Sequence, residues 1–328
     1  MSGMVVALLS LPCHAQTKDG GISADMLKEI QQSQKLTTAD KALFNAVASN
    51  SIDNLAQNYA NQGALDTYFS VETKSQNITD QKQSGRCWMF SGFNVIRSNF
   101  ANRTDSLRVD LSHAYLFFRD QLEKSNLFLQ GVIDCASKPM DDVRVQFFFK
   151  SPLNDGGTFC GVSDLVDKYG LVPAEVMPET FSAENTSKAT SLIKSKLREF
   201  GLKLRDMANG GKSAKEINAE KTKMLGEIYR MLALTIGEPV KEFTYAFKNK
   251  DGRTVTEAKK FTPKSFAAEM LGGKAIGGSF IMVMNDPRRE YYKTYEVEYD
   301  RHTYDGTNWK YLNLPMDCLL YTSDAADE

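Results

Sequence analysis

The sequence predicts an α+β fold: a helical half, a long helical hairpin inserted into it, and then a β-rich half. Three observations predict it. Apolar residues recur at helical spacing from residue 87 to about residue 129. A second helical pattern, broken once by Asn209-Gly210-Gly211, fills 184–236. After residue 237 the apolar residues alternate instead, at the period of strands.

In chain order, residues 16–37 form a polar lead into short helices. Thr38 is expected to cap a helix from Asp40 to Ala48, with another short turn from Ile52 to Asn58. An extended stretch, Thr67 to Glu72, leads to a Gly-containing turn. Met89, Phe93, Ile96 and Phe100 mark one face of a helix over 87–101. Tyr115, Phe118, Leu122 and Leu129 mark another over 112–129, with Ser125 at the remaining step. Ile193, Leu197, Phe200, Leu204 and Met207 follow at 4-3-4-3 spacing, and Ile217, Met224, Ile228 and Met231 mark the return helix. These two read as an αα-hairpin. Phe243, Tyr245 and Phe247 alternate, Asp251-Gly252 turns the chain, and Thr254 to Thr256 returns. Thr262-Pro263 starts a short helix to Leu271. Ser279 to Met284 reads as a buried strand, and Tyr291 to Tyr299 as an alternating one.

The chemistry concentrates in Gln81-Lys82-Gln83-Ser84-Gly85-Arg86-Cys87-Trp88. Cys87 stands where the helical pattern begins. Free backbone N–H groups and the helix dipole favour an anion there, so a thiolate is stabilised and becomes a nucleophile. A side-chain amide six positions earlier, Gln81, is a candidate donor to negative charge on an attacked carbonyl oxygen. Cys135 and Cys160 have no such setting and read as small buried hydrophobes.

This run resembles the nucleophile segment of papain-superfamily cysteine peptidases, and Gly85-Arg86-Cys87-Trp88 resembles the bleomycin hydrolase / aminopeptidase C branch. Further blocks agree in order: Leu111-Ser112-His113-Ala114-Tyr115, Asp155-Gly156-Gly157, Tyr169-Gly170-Leu171-Val172-Pro173 with Pro178-Glu179, Asn285-Asp286-Pro287-Arg288-Arg289, and Asn308-Trp309 with Tyr311-Leu312-Asn313. The resemblance implies a papain-like fold. It implies a thiol aminopeptidase in which Cys87 is the nucleophile and Gln81 with the Cys87 N–H holds the oxyanion. Gly156 and Gly157 would let a peptide substrate's backbone approach, and Trp88 would shield the site or simply pack in the core. The hairpin matches a helical hook of that branch. A hexameric ring with internal active sites is implied as well, and no cofactor.

A cysteine peptidase also needs a histidine base and a residue, usually Asn, to orient it. Of three histidines, His14 lies in the apolar N-terminal stretch, His113 opens a helix and His302 lies in a charged turn. None has the His-Ala-aliphatic strand setting of the family, whose His and Asn are expected beyond position 328. The last eleven residues, Cys318 to Glu328, read as the translation of a transposase sequencing adapter. The chain is therefore expected to be a fragment whose native part stops near Asp317, inactive by itself, with an unpaired sheet edge and poor solubility. A catalytically inactive homologue acting as a binding or assembly protein is the alternative.

Composition sets outer limits. The 328 residues carry 42% hydrophobic and 25% charged side chains, globular values. The formal charge of −1 favours neither nucleic acid nor a membrane surface. Ten basic and four acidic residues between Lys188 and Lys223 give the hairpin a net +6. The one aromatic residue in that span, Phe200, belongs to the apolar stripe and does not interleave with the charges for base stacking, so this reads as a solvated face rather than a nucleic-acid surface. Five scattered cysteines are no disulfide scaffold, and three scattered histidines make no metal-ligand spacing. No run is long and apolar enough to span a membrane. Met4 to Gln16 has an apolar centre and ends Cys13-His14-Ala15, which reads as a signal peptide cut after Ala15. Export to the periplasm or medium is expected on that reading. No Lys or Arg precedes Lys18, so a cytoplasmic location stays open.

Overall fold

A computed structural model describes residues 21–58, 60, 68, 78–104, 107–277, 281–299, 301–306 and 308–319. The expected signal segment, most of the extended stretch at 67–72 and most of the adapter-like tail lie outside them. The chain divides into two units, Met1–Phe69 and Ser70–Glu328.

The first unit holds α1 (Ala24–Ser33), α2 (Thr38–Ser49) and α3 (Ile52–Leu55). The cap of α2 is Thr37, not Thr38. Its hydroxyl accepts from the Asp40 N–H while the Asp40 carboxylate accepts from the Thr37 N–H, a reciprocal capping box.

The second unit is built on α5 (His113–Asp134). This helix is apolar on nearly every side, with Ala114, Leu116, Phe117, Phe118, Leu129 and Val132 all buried, so it must be surrounded. Around it pack α6 (Val143–Lys150), α7 (Phe159–Tyr169), α9 (Thr186–Asn209) and α10 (Ala214–Ile236). The stripe Ile193, Leu197, Phe200 and Leu204 of α9 is buried, as are Ile217, Met224 and Ile228 of α10. α4 (Cys87–Arg103) lies against α7 and α11 (Pro263–Leu271), and α8 (Phe181–Glu184) leads into α9.

The strands are short. β1 (Phe243–Tyr245) pairs antiparallel with β2 (Lys259–Phe261), Phe243 opposite Phe261. The chain does return through Asp251-Gly252 as expected, with the Asn249 N–H on the Arg253 carbonyl and the Val255 N–H on the Phe247 carbonyl, each at 2.9 Å, but it pairs there only as the bridge Lys248 to Thr254, and the ladder to β1 is made later by β2. β3 (Met282–Met284), β4 (Thr294–Val297) and β5 (Trp309–Asn313) form a sheet in the order β3-β5-β4, with β3 parallel and β4 antiparallel to β5. The segment expected as a buried strand is not buried: Ile281 and Val283 are exposed, and Met282 and Met284 only partly covered. Asn313 is fully buried instead, and its amide donates to the Asp286, Arg289 and Glu290 carbonyls, which fixes the Asn285–Glu290 loop.

Candidate active site

Cys87 is the first residue of α4 and is exposed, while Trp88, Met89 and Phe90 after it are buried. The residue before it explains why the helix start stays open. Arg86 occupies the cap position, and its side chain has no acceptor to offer, so no side chain caps this helix. In the first turn the Met89 N–H bonds the Arg86 carbonyl at 2.9 Å, and no side chain caps the Cys87 and Trp88 N–H groups beside the thiol. Arg86 is itself 0% exposed. Its guanidinium pairs with Glu179 at 2.9 Å, donates from Nε to Ser84 Oγ at 3.0 Å and lies over the Phe90 and Phe117 rings. A charge this buried needs that pairing, which ties Pro178-Glu179 to the turn before the thiol.

Gln81 and Ser84 close that turn reciprocally. Gln81 Nε2 donates to the Ser84 carbonyl at 2.6 Å, and Ser84 Oγ donates to the Gln81 carbonyl at 2.7 Å. An amide nitrogen carries two hydrogens, so this contact leaves Gln81 a second donor. Between them Lys82 adopts a left-handed φ of 54°, stabilised by its N–H on Asp80 Oδ1 at 2.8 Å.

Asp155 anchors the same turn from the other side. Its Oδ2 accepts from the Gly85 N–H at 2.7 Å and from Thr186 Oγ1 at 2.6 Å, and its carbonyl accepts from the Trp88 indole N–H at 2.8 Å. A Cβ on Gly85 would lie 2.7 Å from this carboxylate, so only glycine fits. Burial opposes the charge on Asp155, but the bonds from Thr186 and Gly85 outweigh it and hold the carboxyl below its ordinary pKa.

Gly156 and Gly157 follow directly and differ. A Cβ on Gly156 would meet only Asn154 Oδ1, at 3.6 Å. A Cβ on Gly157 would collide with the His302 ring at 2.4 Å and with Trp88 at 2.8 Å, so internal packing alone demands glycine there. A cavity of about 480 Å³ lies beside both, walled by Phe128, Phe147, Phe148 and Tyr299. Trp88 is a core residue whose indole also fixes the Asp155 carbonyl.

The two described histidines are both buried. His113 follows the cap Ser112 and stacks flat on Phe90, with centroids 3.6 Å apart. Burial, then Arg86 and Arg97, push its pKa down to about 3. His302 is not in an open charged turn. It lies between the Trp88 and Trp309 indoles, 3% exposed, with Nδ1 2.5 Å from Asp120 Oδ1. Sequence reasoning passed over Asp120 and Lys124, although a charged i,i+4 pair on the helix face that also carries Phe117 and Phe128 was a usable signal. In the sequence Asp155 stands out only as the residue before two glycines. Among the described residues, no group of His, Cys, Asp or Glu is placed to hold a metal ion.

An exposed thiol opening an uncapped helix, in a mixed helix-and-sheet fold with this order of elements, defines a papain-like architecture. The Peptidase C1-like family model matches residues 21–325. Aminopeptidase C of Lactobacillus delbrueckii subsp. lactis is 36% identical over 297 residues, 90% of this chain and 66% of that protein. Human bleomycin hydrolase is 34% identical over 76% of this chain and 56% of its own length. The crystal structure of PepW from Lactobacillus rhamnosis HN001 superposes with a TM-score of 0.85 at 32% identity, covering 94% of this chain and 70% of that one. The chain belongs to the Peptidase C1-like family, in the bleomycin hydrolase / aminopeptidase C branch of the papain superfamily. It spans just under two thirds, or less, of the length of these two curated relatives.

Proposed function

We propose that this chain carries the nucleophile side of a thiol-dependent aminopeptidase acting on peptides. Cys87 attacks the scissile carbonyl carbon, and the carbonyl oxygen takes up the negative charge. The Cys87 N–H and the second amide hydrogen of Gln81 receive that charge. The thiol proton passes to a general base and from it to the departing nitrogen, so collapse of the tetrahedral species breaks the C–N bond, expels a neutral amine and leaves an acyl-enzyme, which water then hydrolyses to the free thiol and the acid. The Gly156–Gly157 segment faces the substrate backbone, and Trp88 screens the thiol from behind. The observation that carries this reading is an exposed thiol at the start of an uncapped helix, with Gln81 held in the adjoining turn. Relatives named aminopeptidase C and bleomycin hydrolase support the substrate class. Neither described histidine is taken as the base: His113 is stacked in the core, and the Nε2 edge of His302 packs against Gly157 and Gly161.

The test is hydrolysis of an aminoacyl-coumarin amide by the chain and by its Cys87→Ser variant. The reading expects any turnover to vanish in the variant. Turnover indifferent to that substitution overturns it. A binding or assembly role without catalysis is the second reading, favoured by the burial of both described histidines. It predicts no turnover and no preferential labelling of Cys87 by a peptidyl chloromethyl ketone.

A further inference from the structure

Asp120 is a fully buried carboxylate that the proposed chemistry does not use. A lone buried charge is strongly unfavourable, so its surroundings must compensate. They do so at both oxygens. Oδ2 accepts from Lys124 Nζ and from Gln121 Nε2, each at 3.0 Å. Oδ1 meets His302 Nδ1 at 2.5 Å. Each charged partner then reaches the same short segment. Lys124 Nζ donates to the Gly156 carbonyl at 2.6 Å and to the Asn154 carbonyl at 3.2 Å, and lies 5.5 Å from the centre of the Trp88 ring. His302 fills the space in front of Gly157 and Gly161, where a Cβ on either would lie 2.4 Å from its ring. The Trp88 indole, 4.7 Å from the His302 ring, closes the set through the Asp155 carbonyl.

We propose that Asp120 is a positioning residue for the candidate site: through Lys124 on one side and His302 on the other it clamps the Gly156–Gly157 segment and seats Trp88 behind Cys87. The inference rests on the reading of Cys87 as nucleophile and of this segment as substrate-facing. An apolar core could fill the same volume without desolvating three charged or polar groups. What the ionic arrangement adds is direction, since each hydrogen bond fixes where one backbone carbonyl or one ring sits. The clamp therefore governs how a peptide is held rather than how reactive the thiol is.

Two substitutions at His302 separate clamping from space-filling. His302→Gln retains an N–H donor for Asp120, and His302→Leu fills similar space without one. Both are made in the full 328-residue chain. The chain has only two tryptophans, Trp88 and Trp309, and both flank His302, so intrinsic emission reports on this spot directly. Emission should shift to the red in His302→Leu and stay at the parent wavelength in His302→Gln. Alkylation of Cys87 is then followed with iodoacetamide, which needs only the thiol, and with leucyl-leucyl chloromethyl ketone, which must also bind as a peptide. His302→Leu should raise the half-saturating ketone concentration about fivefold, the worth of one hydrogen bond, with the iodoacetamide rate unchanged. His302→Gln should match the parent in both. Equal behaviour of Leu and Gln, or equal slowing of both reagents, overturns the clamp. If the parent Cys87 is not labelled selectively by either reagent, the proposed function fails, while the emission shifts still decide whether Asp120 directs its partners. Asp120→Asn should reproduce the His302→Leu pattern; should it not fold, the His302 pair decides alone.

Discussion

His113 is an imidazole with its charge suppressed. Stacked on Phe90 and out of water, it has a folded-state pKa of about 3 against an ordinary value near 6.5. The neutral form is therefore the native one. Its contribution to stability is present above about pH 6.5 and is lost as pH falls toward 3, at up to about 1.4 kcal/mol per pH unit, because only the unfolded chain takes up the proton. Replacing His113 with Phe should flatten the acid limb of a denaturation-midpoint-versus-pH curve between those limits. An unchanged acid limb would contradict this account. Asp164 has the opposite shift. Burial first, then Asp167 and Asp305, raise its carboxyl to about 6. A raised acid opposes folding once it must ionise, so the penalty sets in as pH rises from about 4 through 6. Asp164→Asn should raise stability at pH 7 by about 1–2 kcal/mol, allowing for solvent screening of a half-buried group, with the gain gone below about pH 4. Thermal melts at pH 7 and pH 4 check this.

At the scale of elements, the junction of α7 with α11 is the tightest constraint. Gly170 ends α7 at φ 82°, and a Cβ there would lie 2.2 Å from the Pro263 backbone carbonyl group. Backbone cannot swing aside as a side chain end can. Gly170→Ala should cost about 2–4 kcal/mol, strain and overpacking together, measured by urea denaturation. A loss under about 0.5 kcal/mol would mean that the junction is looser than described. Helices were legible in the sequence where one apolar stripe faced one core. That is why the stripes of α9 and α10, and the thiol at the start of α4, could be read directly. α6 and α7 were not, since a triple Phe run and a Gly-rich lead hide the period. The alternation of Phe243, Tyr245 and Phe247 is legible and all three are buried, whereas the partner of β1 and the exposure of Ile281 and Val283 are not, because three- and four-residue strands draw their pairing from distant neighbours, which periodicity cannot supply.

Across the second unit, one helix organises the rest. α5 buries apolar residues around its circumference and still carries Asp120 and Lys124 inside, and these two meet the glycine segment and His302 from far along the chain. The place of Cys87 at a helix start is legible because the apolar period that begins there is local. The Asp120 network was not, because its members stand far apart in sequence and share no period. The proposed chemistry depends on the state of one sulfur. The direct measurement is the alkylation rate of each free cysteine by iodoacetamide at neutral pH, resolved by peptide mass spectrometry. The account predicts Cys87 modified at least about tenfold faster than Cys135, Cys160 or Cys318, as an exposed nucleophilic thiol at a helix start should be. Modification of Cys87 at the same rate as an ordinary exposed thiol would contradict it.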